Sequence, residues 1–139
     1  MFKKTIVFIF ITGFLLTSCA AAPQVDNGSS PKEYEMITTD ELQTLMDNDE
    51  KFAFINVHIP VAGNIPGTDA EIPFDKIEEY LDLLPQDKDE KIIIYCRSGS
   101  MGNTASHTLA QLGYTNVFNL EGGYVTWRAS GLPFEELKK

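Results

Sequence analysis

The chain has 139 residues, of which 43% are hydrophobic and 11% aromatic, a composition that fits one globular domain with a modest core. Its formal net charge at pH 7 is −9, because 20 acidic residues outnumber 11 lysines and arginines. A surface this acidic argues against nucleic acid as a partner and against electrostatic attraction to anionic lipid headgroups.

Residues 1–18 have the pattern of a secretory signal peptide. Lys3 and Lys4 precede an apolar run from Ile6 to Leu16 that is shorter than the ~20 residues of a membrane-spanning helix. The run ends in Leu16-Thr17-Ser18-Cys19, which resembles the lipobox of bacterial lipoproteins. That resemblance implies cleavage before Cys19, lipidation of its sulfur and an extracytoplasmic domain that is lipid-anchored to a bacterial membrane. An ordinary signal peptide with an incidental cysteine is the alternative.

Residues 19–33 are predicted to be the lipidated cysteine and a flexible tether, because the stretch contains Pro23, Asn27-Gly28-Ser29-Ser30 and Pro31. Residues 34–139 are predicted to form the folded domain. Within it, strands are predicted at 34–37, 52–57, 92–95 and 117–120. Helices are predicted after Thr38-Thr39-Asp40, at 75–84, at 103–112 and from 121 through Trp127, and residues 58–72 are predicted to be a loop.

This alternation of strands and helices predicts an α/β fold, with a parallel sheet flanked by helices on both faces. The run Ile92–Tyr95 is apolar throughout and is predicted to be the central strand. In such sheets ligands bind beyond the carboxyl ends of the strands. The residues that follow Tyr95 are therefore predicted to form the ligand site.

Cys96 follows this strand, and residues 96–102 (the cysteine loop) lead into a helix. Backbone N–H groups of a small-residue loop can converge on one point, and a helix N-terminus adds partial positive charge there. A sulfur at that point is favoured as the thiolate, which is the nucleophilic form. Cys96 is therefore the candidate catalytic residue.

The rest of the cysteine loop suits binding of an anion. Gly99 and Gly102 permit a curled backbone, and Ser98 and Ser100 can add hydroxyl donors. Two further positions of the loop each have two interpretations. Arg97 either binds the anion or pairs with a nearby carboxylate, and Met101 is either an apolar lip of the site or core filler.

Cys96 would have no disulfide partner if Cys19 is acylated, since the chain has only these two cysteines. A lone thiol in an oxidising compartment suggests reactivity, and a buried inert cysteine is the alternative. The two histidines, His58 and His107, are too widely spaced from the cysteines to resemble a zinc site. We therefore expect neither a metal nor another cofactor.

The segment Cys96 to Met101, the segment Leu112 to Gly123 and Trp127 together resemble a single-domain rhodanese, and the likeness extends over roughly residues 34–133. The resemblance implies a sulfurtransferase in which Cys96 accepts sulfane sulfur as a persulfide and passes it to a thiol or to cyanide. The partners implied are a small sulfur donor and that acceptor; no protein partner is indicated.

The sequence departs from the rhodanese pattern in ways that remove positive charge. Asn56-Val57-His58 stands where an Asp-x-Arg is common, and Met101 occupies a position that is often basic in thiosulfate-type members. These changes favour a persulfide or polysulfide donor over thiosulfate. His58 is either a proton donor near the sulfur or a residue that packs the loop.

Two other classes of function compete with this interpretation. A phosphatase on a related fold needs an arginine six residues after the cysteine, but position 102 is glycine and the next arginine is Arg128. A non-catalytic binding module of the rhodanese fold, anchored at a membrane surface, is the remaining alternative, and the presence of Cys96 argues against it.

Overall fold

The computed structural model describes residues 33–137. The predictions for the signal peptide, the lipidated Cys19 and most of the tether lie outside these described residues and stay predictions, as do the domain boundaries. Within the described part, no helix combines the length and the apolar character needed to cross a membrane.

The predicted parallel sheet is confirmed. In chain order the strands are β1 (Glu35–Ile37), β2 (Ala53–Asn56), β3 (Gly63–Asn64), β4 (Ala70–Glu71), β5 (Ile92–Tyr95), β6 (Val117–Leu120) and β7 (Glu135–Glu136). Five of them form one sheet in the order β1-β6-β5-β2-β4, and every neighbouring pair in it is parallel. The strand predicted to be central, β5, occupies the middle position.

Helices cover both faces of this sheet, as predicted. They are α1 (Thr39–Asp47), a 3₁₀ helix (Ile77–Leu83), α2 (Ser100–Gln111) and α3 (Gly123–Ala129). Residues of α1 and α3 pack on one face, whereas α2 and the 3₁₀ helix pack on the other. Thr38 caps α1 as its sequence predicts, because its hydroxyl accepts the Glu41 N–H while the Glu41 carboxylate accepts the Thr38 N–H.

Side chains along β5 alternate between the two cores. Ile92, Ile94 and Cys96 belong to the core beneath α2, and Ile93 and Tyr95 belong to the core beneath α1 and α3. All five are at most 1% exposed. Burial on both faces is the reason that β5 reads as an unbroken apolar run rather than as an alternating one.

Three local predictions were wrong. Residues 58–72 are not all loop, since they contain β3 and β4, and β3 pairs antiparallel with the unpredicted β7. Two-residue strands are too short to show a periodic pattern, so only contacts distant in sequence define them.

The 75–84 segment is a 3₁₀ helix with a kink at Tyr80 rather than a regular helix. Helix α2 begins at Ser100, three residues earlier than predicted, because Gly99 is its N-cap.

Candidate active site

The sulfur of Cys96 lies at the carboxyl end of the central strand, where the fold directs ligands. The backbone N–H of Gly99 donates to Cys96 Sγ at 3.0 Å. Gly99 has a φ of +102°, in the left-handed region that favours glycine, and helix α2 starts at the next residue. The loop thus turns back so that one amide and the amino end of a helix lie beside the sulfur.

The other residues of the cysteine loop fall into two groups. Arg97, Ser98 and Ser100 are exposed, and among residues 33–137 no carboxylate forms an ion pair with Arg97. Within residues 33–137, neither serine hydroxyl donates a hydrogen bond to Cys96 Sγ. Met101 is partly buried and packs against the core beneath α2, which favours the filler interpretation.

Gly102 is buried against the side chain of Asn119. A Cβ at position 102 would overlap Asn119 Oδ1, so the backbone of the first turn of α2 approaches β6 only because residue 102 is glycine. An arginine at this position, as the phosphatase alternative requires, has no room. The close approach places α2 directly behind the cysteine loop.

Asn119 is a site residue that sequence reasoning missed. Its side chain is fully buried, and Nδ2 donates to the Gly99 carbonyl at 3.2 Å and to Asn103 Oδ1 at 2.7 Å. These hydrogen bonds connect β6 to Gly99, the residue whose N–H donates to Cys96 Sγ. The available signal was a polar residue in the otherwise apolar strand 117–120, since a buried amide requires hydrogen-bond partners.

Helix α3 holds the start of the loop from the other side. The N–H groups of Tyr124 and Val125 donate to the carbonyls of Cys96 and Arg97 at 3.0 and 3.1 Å. Gly123, with a φ of +57°, brings the helix this close, and a Cβ there would overlap both carbonyl groups. The helix predicted from 121 through Trp127 begins at Gly123, with Gly122 as its N-cap. Trp127 is 3% exposed and packs in the core beneath α1 and α3.

Asn56, which stands where an acid is common, organises the loop that carries His58. Its Oδ1 accepts the His58 N–H at 3.0 Å, while Nδ2 donates to the Gly63 carbonyl at 3.0 Å and to Asn64 Oδ1 at 2.8 Å. Asn56 is 1% exposed. Its role is therefore structural: it fixes both ends of residues 58–63.

His58 lies beside the loop with its ring edge-on to Tyr124, at a centroid distance of 5.6 Å. Its Nδ1 is buried and has no hydrogen-bond partner among the described residues. Burial, and secondarily the positive charge of Arg97, lower the pKa of His58 from its ordinary value of 6.5. A neutral ring without a partner for Nδ1 favours the packing interpretation over that of a proton donor.

Replacing His58 with glutamine should make the protein less sensitive to mild acid. Because the folded state lowers the pKa of His58, the unfolded chain binds more protons below pH 6.5, and the free energy of unfolding falls as pH drops through the folded pKa. Urea unfolding of both proteins at about pH 7.5 and 5.5 measures this difference. Equal losses of stability on acidification would contradict the assignment.

Replacing Asn119 with alanine should slow modification of Cys96 as well as destabilise the fold. The change leaves the Gly99 carbonyl and Asn103 Oδ1 without their donor, at a cost of roughly 2–3 kcal/mol. Asn116→Ala is the control, since its Nδ2 bonds to Asp89 at the far end of β6. The rate of alkylation of Cys96 should fall only in Asn119→Ala; equal rates in both variants would show that Asn119 does not support the loop.

Taken together, these features define an α/β domain with a buried thiol at the end of the central parallel strand, which accepts a hydrogen bond from the Gly99 amide just before helix α2 begins. The family model described as "Rhodanese-like domain" matches residues 30–130. The chain belongs to this family.

Known proteins support the same assignment. A sulfurtransferase of Allochromatium vinosum is 32% identical over 100 residues, which cover 70% of this chain and 91% of that protein. The rhodanese-like domain protein of Staphylococcus aureus superposes with a TM-score of 0.61 at 28% identity, covering 76% of this chain and 99% of that one. A tRNA uridine(34) hydroxylase of Erwinia tasmaniensis is 41% identical over 71 residues, but these are only 20% of that protein. Sulfurtransferase-type activity is thereby supported in general terms.

Proposed function

We propose that this protein is a sulfurtransferase that carries sulfane sulfur as a persulfide on Cys96 and passes it to a thiol or to cyanide. The observation that carries the proposal is the 3.0 Å hydrogen bond from the Gly99 N–H to Cys96 Sγ at the first turn of α2. Backbone donors aimed at a sulfur stabilise negative charge on it without any reorganisation during reaction.

In the first step the Cys96 thiolate attacks the sulfane sulfur of the donor. A bond forms between Sγ and that sulfur, while the donor's own sulfur–sulfur bond breaks and its electron pair leaves with the departing anion or thiolate. The product is a persulfide anion on Cys96. In the second step the acceptor attacks the outer sulfur, and the electron pair of the breaking bond returns to Sγ as thiolate.

A donor with a single negative charge, such as an organic persulfide, fits the site better than the doubly charged thiosulfate. Met101 packs into the core instead of adding a cation, and neutral His58 stands where the family commonly has arginine. Arg97 is then the one cation within the cysteine loop, so the second negative charge of a doubly charged donor adds little binding free energy.

Mass measurement on the intact protein tests the proposal. Incubation with polysulfide should add the mass of one sulfur atom, and cyanide should then remove it with release of thiocyanate. Thiosulfate should load the protein more slowly than an organic persulfide does. If no donor gives a cyanide-labile adduct, the enzyme proposal fails and the non-catalytic binding module is favoured instead.

We also propose that the chain is a lipoprotein held at an extracytoplasmic membrane face through Cys19. The support is the run of two lysines, an apolar segment and Leu16-Thr17-Ser18-Cys19 in the sequence. Two or more acyl chains would suffice for stable anchoring.

Replacing Cys19 with alanine should move the protein from the membrane fraction to the soluble fraction, or leave an unprocessed precursor. The reason is that lipid attachment requires this sulfur. Fractionation followed by mass spectrometry of the N-terminal peptide measures both outcomes. Retention of a processed variant in the membrane fraction would contradict lipidation.

A further inference from the structure

An open groove of about 700 Å³ lies beside the cysteine loop. One wall is the segment from His58 to Ala62, and the other is helix α3, which contributes Val125 and Arg128; Arg97 of the cysteine loop completes it. Val125 is 47% exposed, so the groove presents apolar surface together with positive charge. The sulfur of Cys96 does not line it but lies beneath the adjoining loop.

The distribution of arginine in the chain singles out this groove. Arg97 and Arg128 are the only arginines in a sequence with a formal net charge of −9, and both line the same groove. An acidic surface repels anionic ligands, so a local pair of guanidinium groups is required to attract one. Guanidinium also matches carboxylates geometrically, because its planar fork donates two parallel hydrogen bonds.

Arg128 already holds a carboxylate from its own chain. Its Nη2 lies 2.8 Å from Glu136 Oε1 in strand β7, and its guanidinium lies over the Phe134 ring at 5.1 Å. The side chains of Arg128 and Glu136 are 49% and 64% exposed. Exposed ion pairs contribute little to stability, so an incoming carboxylate can replace Glu136 at small cost.

We infer that Arg97 and Arg128 form the binding site for a sulfur acceptor that is a small organic thiol bearing carboxylate groups, with Glu136 holding Arg128 while the site is empty. The inference rests on the proposed function. The carboxylates pair with the two guanidinium groups, and the carbon skeleton lies against Val125. The acceptor thiolate then attacks the outer sulfur of the Cys96 persulfide, the bond to Sγ breaks, its electron pair returns to Sγ, and the acceptor leaves as an organic persulfide.

The test compares two thiols on the full chain purified in detergent and loaded with polysulfide. Mercaptosuccinate carries two carboxylates and mercaptoethanol carries none. In Arg128→Gln, kcat/KM for mercaptosuccinate should fall roughly fivefold, whereas the value for mercaptoethanol should change by less than about twofold. Arg97→Gln should reduce the preference for mercaptosuccinate in the same direction.

Glu136→Gln gives the decisive result, because it removes the competing carboxylate. It should raise kcat/KM for mercaptosuccinate about two- to threefold, opposite in sign to Arg128→Gln. If the Arg128–Glu136 pair were merely structural, both variants would change activity in the same direction and with both thiols alike. That result would overturn the inference.

Lys76→Gln is the matched control, since it also removes one positive charge but lies outside the groove, paired with Glu79. It should leave the ratio of the two kcat/KM values unchanged. If Lys76→Gln lost the preference for mercaptosuccinate as much as Arg128→Gln does, net charge alone would explain the effect and the proposed binding site would be wrong. The mass of the loaded protein is recorded first. Absence of the persulfide in the wild type would instead contradict the proposed function itself.

Discussion

Replacing Cys96 with serine should abolish sulfur transfer, lowering the rate of thiocyanate formation from polysulfide and cyanide by about three orders of magnitude or more. A serine hydroxyl is not ionised at neutral pH and cannot take up sulfane sulfur as a stable persulfide. The rate of thiocyanate release and the mass of the protein after exposure to the donor measure both halves of this expectation.

The serine variant should remain folded, which makes the loss interpretable. Oxygen can accept the Gly99 N–H in place of Sγ, so the loop keeps its hydrogen bond. The residue is 1% exposed, and a buried hydroxyl in place of sulfur should cost about 1 kcal/mol. Unaltered transfer by folded Cys96→Ser protein would mean that another group carries the sulfur, and the proposed mechanism would be wrong.

Replacing Gly123 with alanine should destabilise the protein by about 3–5 kcal/mol and sharply slow modification of Cys96. The new Cβ would overlap the carbonyl groups of Cys96 and Arg97, which are backbone atoms that cannot rotate away. To relieve the overlap, α3 must withdraw and release the hydrogen bonds from Tyr124 and Val125. The loop that positions the sulfur would then lose its support.

Gly131→Ala is the control that distinguishes the free-energy cost of this steric overlap from the cost of a left-handed backbone conformation. Gly131 also has a positive φ, +78°, but no atom lies within 4 Å of a Cβ built there. Both variants therefore carry the left-handed penalty of roughly 1 kcal/mol, and only Gly123→Ala carries the steric one. Denaturant unfolding and the alkylation rate of Cys96 measure the difference; equal effects in the two variants would contradict the packing of α3 on the cysteine loop.

The sequence by itself was sufficient for the order of the main elements and the place of the cysteine. Strand β5 is apolar on both faces because helices cover both, and this makes it recognisable without any contact being known. The position of Cys96 between such a strand and a glycine-containing loop then followed. The start of α1 after Thr38 was predictable for a similar reason, because helix capping depends on a few adjacent residues.

Only the tertiary structure determined how distant segments meet around that cysteine. Strands β3 and β7 exist because residues more than 70 positions apart pair, and no local pattern encodes such a pair. Asn119 supports Gly99, and burial keeps His58 neutral, through contacts between different elements. In the same way, Arg97 and Arg128 are 31 residues apart in the sequence. They line the same groove only because α3 packs on the cysteine loop.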